Sequence, residues 1–190
     1  MMPSPGHPLA PPAAAPISVP SSPERIHTEA ELENVLTQPG PQLVDFIPAV
    51  SSPLVVLGAG GKMGPTLAVL AHRAAEQAGH KLEVIAASRF SDPTAREWLE
   101  SRGVKTLSVD LLERKSVKRL PDAENIIYLV GLKFGTTQNP SGTWAANTLA
   151  PAQVAERYAT SRIVALSTGN VYPLVPVASG GATEREPLTP

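Results

Sequence analysis

Three glycines spaced three apart, Gly58, Gly61 and Gly64, follow the apolar run Leu54–Leu57 in the stretch LVVLGAGGKMG. An apolar run without polar alternation suits a strand buried on both faces, and the glycines let the backbone turn tightly against a ligand. A helix opening behind the turn would point unpaired amides and the positive end of its dipole at an anion, above all a phosphate. The spacing, G-x-x-G-x-x-G with an additional Gly60, is a variant of the dinucleotide fingerprint, and Lys62 and Met63 inside it join the candidate cofactor residues. A nucleoside-triphosphate loop is disfavoured, because Met63 stands where that chemistry needs a hydroxyl for magnesium. The competing reading is a packing turn with no ligand.

Other apolar runs end in residues that suit the rest of a dinucleotide. Leu82–Ala87 ends in Ser88 and Arg89, where an NAD-binding fold places an acid on the ribose 2′-hydroxyl. A hydroxyl and a guanidinium bind a 2′-phosphate instead, so NADP is preferred to NAD. Arg89 is otherwise a solvated charge, and Asp92 can still reach the ribose. Val104–Val109 ends in Asp110 and Leu111, suited to the edge and face of an adenine, although the same aspartate can cap the next helix.

After Asn125–Val130, Val130 and Gly131 bring backbone to the nicotinamide side, and Lys133 is either a diphosphate partner or a solvated lysine. Arg162–Leu166 ends in the adjacent hydroxyls of Ser167 and Thr168, where a substrate hydroxyl or carbonyl would lie over the nicotinamide. A plain turn would explain Gly169 and Asn170.

Alternating elements must bring these ends together. Helices are expected over Thr66–Ala78, Pro93–Ser101, Glu113–Leu120 and Thr143–Tyr158, between the five apolar runs. The fold expected is α/β: a doubly wound parallel sheet of Rossmann type, order 3-2-1-4-5, incomplete at the C-terminus. Ligands then sit at the carboxyl ends, beside the switch point between strands one and four.

Upstream, Thr28 with Glu31 three residues on has capping-box spacing, and Leu32, Val35 and Leu36 share a face. With the apolar segment Leu43–Val50 they make a helical extension, residues 26–52, packed on the flank of the sheet. Residues 1–25, rich in Pro and Ala, are expected to be a disordered tail, and 53–190 a partial NAD(P)-binding domain.

A net charge of −1 leaves no electrostatic footprint for nucleic acid or an anionic membrane. No run reaches the roughly 18 apolar residues of a membrane span. Zero cysteines exclude disulfides and thiolate metal sites, and fit a reducing, cytoplasmic compartment. No metal is expected.

From Leu54 to Pro190 the chain resembles the extended short-chain dehydrogenase/reductases, the NAD-dependent epimerase/dehydratase group. The carrying motifs are GAGGKMG at 58–64, Asp110 with Leu111, VGLK at 130–133, Asn147, STGNVY at 167–172 and TEREPLTP at 183–190. STGNVY and TEREPLTP argue against other dinucleotide domains whose glycine turns carry Met-Gly.

The resemblance implies diphosphate binding by Gly58, Gly61 and Gly64, adenine binding by Asp110, a brace on strand four from Asn147, and polarisation of the substrate oxygen by Thr168. It implies a small-molecule substrate such as a sugar nucleotide, and a homodimer of the full-length protein. It also implies a Tyr-x-x-x-Lys acid/base pair, which the 190 residues lack. Tyr158 to Arg162 mimics its spacing, but precedes strand five, and Arg is no stand-in for Lys. The chain is therefore expected to be truncated and to bind cofactor without turnover. A non-catalytic NAD(P)-binding sensor or scaffold is the alternative.

Overall fold

The computed structural model describes residues 25–133 and 137–188, with backbone alone at position 170. The expected tail, apart from Arg25, and the last two residues of TEREPLTP lie outside them. Five parallel strands, β1 (Leu54–Leu57), β2 (Val84–Ser88), β3 (Lys105–Ser108), β4 (Asn125–Tyr128) and β5 (Arg162–Ala165), form one sheet of order 3-2-1-4-5. β1 is central and all four of its residues are buried, which is why its sequence shows no alternation.

Successive β1 side chains feed opposite cores. Leu54 and Val56 pack with α3 (Gly64–Gln77) and α4 (Pro93–Glu100), whereas Val55 and Leu57 join residues of α5 (Arg114–Val117) and α7 (Ala150–Arg157). Each such side chain, fully buried, contributes about 1.5–3 kcal/mol by removal from water. The alternating sequence thus covers both faces of the sheet at its centre.

Helix boundaries differ from the sequence expectations in instructive places. α3 begins at Gly64 rather than Thr66, because Pro65 lies in the first turn, where a missing amide costs nothing and the fixed φ suits a helix. The helix expected from Thr143 begins at Pro140, after Asn139, whose Oδ1 accepts the Gly142 amide at 2.9 Å. It runs as α6 (Pro140–Trp144), a π turn (Ala145–Leu149) and α7. The segment Leu43–Val50 is helical, α2 (Pro41–Phe46) followed by a 3₁₀ turn (Ile47–Ala49).

The first helix, α1 (Glu29–Leu36), carries the capping box, with Glu31 donating its amide to Thr28 Oγ1 and accepting the Thr28 amide. Its inner face is polar. Arg73 of α3 donates to Asn34 and Thr37, while Trp98 and Arg102 at the end of α4 donate to Glu33. The extension therefore packs on α3 and α4, with Ile47 buried beside them.

Candidate functional site: a cleft at the carboxyl rim

The turns after β1 to β4, facing the α6–α7 segment, enclose a cleft of about 690 Å³, a size suited to a small molecule. Its floor is the β1–α3 turn. Gly58 has φ +85°, and a Cβ there would stand 2.8 Å from Val130 Cγ2 and 3.1 Å from the Leu129 carbonyl carbon. Both the backbone and the approach of β4 exclude any other residue. At Gly60 a Cβ would lie 2.8 Å from Ser88 Oγ, so the additional glycine keeps the floor bare between β1 and β2.

The Gly61 amide closes the turn on the Gly58 carbonyl at 3.0 Å. The amides of Gly60, Lys62 and Met63 have no partner among the described residues, which leaves donors for an anion at the start of α3.

The β2–α4 turn supplies the second wall through Ser88, Arg89, Phe90, Ser91 and Asp92. Arg89 is exposed, with no carboxylate at ion-pair distance among the described residues. Asp92 caps α4 by accepting the Thr94 amide at 2.9 Å, and this bond holds its carboxyl below the usual range. One carboxylate oxygen is thus engaged in the cap, while the residue itself lines the cleft. Phe90 has φ +48°, a left-handed conformation that costs a non-glycine residue about 1–3 kcal/mol, while its ring packs on the α3–α4 core.

Asp110 and buried Leu111 form the third wall. The Asp110 carboxylate accepts the Leu112 amide at 2.9 Å. It caps the turn before α5 and not the helix, whose cap position is Glu113.

On the fourth side, Val130 and Gly131 face Asn139, Gly142, Ala146 and Ala150. Asn147, inside the π turn, grips the Leu132 peptide groups: Oδ1 accepts the amide at 2.8 Å and Nδ2 donates to the carbonyl at 2.9 Å. The wider turn brings Asn147 to the end of β4 while its neighbours Gly142, Ala146 and Ala150 line the cleft.

The cleft thus gathers Gly58, Gly61, Ser88, Arg89, Asp110, Leu111, Val130 and Gly131. It does not gather the others. Lys62, Met63 and Lys133 are exposed beyond its walls, and Gly64 is buried against Ala59. Ser167 and Thr168 follow β5 on the same rim, since all strands are parallel, but form no part of the wall.

Sequence reasoning missed Phe90, Leu112 and the helical wall. The small residues Gly142, Ala146 and Ala150, four apart, were the available signal for that wall.

The Tyr158 mimic is structural. Its hydroxyl donates to the Pro121 carbonyl at 2.8 Å, burial pushes its pKa up to about 12, and Arg162 opens β5 at the opposite rim.

The architecture is found in solved structures. The ADP-L-glycero-D-manno-heptose-6-epimerase of Helicobacter pylori is 16% identical at TM-score 0.58, over 74% of this chain and 46% of that one. Pal from Bacillus thuringiensis is 19% identical at TM-score 0.60, over 73% and 45%. Epimerase Mth375 of Methanothermobacter thermautotrophicus is 22% identical at TM-score 0.59, over 70% and 41%. The chain therefore spans less than half the length of each, and at these identities the likeness concerns the fold. No curated protein sequence matches significantly. Residues 54–190, which include every wall of the cleft, match the NAD dependent epimerase/dehydratase family, and the chain belongs to it.

Proposed function

We propose that the cleft holds NAD(P) as the dinucleotide-binding portion of an epimerase, dehydratase or reductase, acting on a sugar nucleotide or a related alcohol or carbonyl. The observation that carries this is the tight glycine turn, where a Cβ at Gly58 or Gly60 would collide with Val130 or Ser88, beside amides that have no partner among the described residues. The walls fit the group: Asp110 and Leu111 offer an edge and a face to adenine, and Val130 and Gly131 border the nicotinamide side.

NADP is preferred, because Arg89 is a cleft cation that forms no ion pair among the described residues, and one oxygen of the nearby Asp92 carboxylate is engaged in a cap. A bound nicotinamide supplies hydride transfer, and the chain's own residues bind and orient it. Thr168, with Ser167, orients the substrate oxygen from the adjoining strand end. Without a Tyr-x-x-x-Lys pair, these 190 residues bind without turning substrate over.

Titration with NADPH and NADH tests the reading. NADPH is expected to bind more tightly, and Arg89→Ala to remove about three- to tenfold of that preference by loss of a charge-assisted hydrogen bond. Tighter NADH binding would end the NADP assignment, and binding of neither would end the cofactor reading. Steady turnover by this chain would end the non-catalytic part alone.

A further inference from the structure

The family match begins at residue 54, yet the segment before it is docked by specific polar contacts. Glu33 Oε2 accepts from Trp98 Nε1 at 2.8 Å and from Arg102 Nη2 at 3.3 Å. The Arg102 guanidinium lies 3.9 Å over the Trp98 ring and also donates to the Trp98 carbonyl. Glu33 of α1 thus meets the C-terminal end of α4 and the residue just beyond its cap, while the N-terminal end of α4 presents Asp92 and Ala95 to the cleft.

Between cleft and helix lies Phe90, whose left-handed backbone persists only where its surroundings over-determine it. Three restraints are visible. The Phe90 and Trp98 rings pack on the same core, Ser108 Oγ donates to the Arg89 carbonyl at 3.4 Å, and Asp92 caps α4. Glu33 adds a fourth by fixing the far end of the helix that carries the turn.

We propose that Glu33 is a positioning residue: through Trp98, Arg102 and α4 it holds the Ser88–Asp92 turn in the strained form that binds the adenosine end of the dinucleotide. The extension is then a brace for cofactor recognition. Only the binding consequence rests on the proposed cofactor; the mechanical link from Glu33 to the turn does not.

The test uses the full chain and Glu33→Ala, a change on a half-buried helical position that suits a helix. Amide exchange across residues 88–95 is expected to quicken. The dissociation constant for adenosine 2′,5′-bisphosphate, measured by calorimetry, is expected to rise about three- to tenfold, as for a moderate coupling between sites. Trp98→Phe, which keeps a ring under Arg102 but removes the donor to Glu33, is expected to reproduce both effects.

Lower thermal stability with unchanged exchange at 88–95 would overturn the proposal, leaving Glu33 a structural contact. So would quicker exchange with an unchanged dissociation constant. If the wild-type chain binds no adenosine nucleotide, the cofactor reading falls, and the mechanical link is decided by exchange alone.

Discussion

Two tyrosines show how a single buried hydroxyl is decided by its partner. Tyr128 and Tyr158 are both buried, and burial pushes each pKa up to about 12. Tyr158 donates to the Pro121 carbonyl, whereas the Tyr128 hydroxyl has no partner among the described residues. Tyr158→Phe should therefore lower the unfolding free energy by about 1 kcal/mol, and Tyr128→Phe should raise it by about as much. Urea melts at pH 8 check both.

Because the folded pKa lies above the unfolded one, the stability tied to these groups is whole below about pH 10. It is lost as pH rises towards about 12, where the unfolded chain alone ionises. Melts at pH 11 should show a smaller alkaline loss for either variant. At this scale the sequence exposed the residues at strand ends, since an apolar run names its own terminus. It concealed Phe90 and the Asp92 cap, because a left-handed backbone and the direction of a carboxylate depend on neighbours far along the chain.

Among the elements, the β1–α3 unit depends on one contact. A Cβ on Gly64 would stand 2.4 Å from Ala59 Cα, backbone against backbone, so no side-chain rotation relieves it. Gly64→Ala should force α3 away from β1 and cost about 3 kcal/mol. Gly40, where a Cβ would meet nothing within 4 Å, should tolerate alanine for under about 1 kcal/mol. Denaturant melts of the two variants make the comparison.

Strand order and the strand-helix alternation were legible, because period and turn residues are local. The π turn was not: nothing in Ala145–Leu149 marks the extra residue, which is stabilised by the two bonds of Asn147 to Leu132, fifteen residues back. The polar docking of α1 was equally hidden, since Leu32 and Leu36 suggested an apolar inner face and both are exposed.

Over the whole molecule the two faces of the sheet are covered unequally. Ile163 packs into the core beside α7, but Val164, in register with Ile127, is 62% exposed and Leu166 is 44% exposed. An edge strand with bare apolar side chains invites pairing with another chain. Light scattering should show association that rises with concentration, and Val164→Lys should suppress it without altering nucleotide affinity. The one-way sheet has a practical corollary: the proposed binding cleft lies at one rim, and the other carries the connections entering the strands. A chain with no native thiol can be given one wherever it is wanted. Lys81, exposed in the connection entering β2, replaced by cysteine would tether the molecule to a sensor chip with its mouth towards the flow, whereas Lys62→Cys would seat it face down.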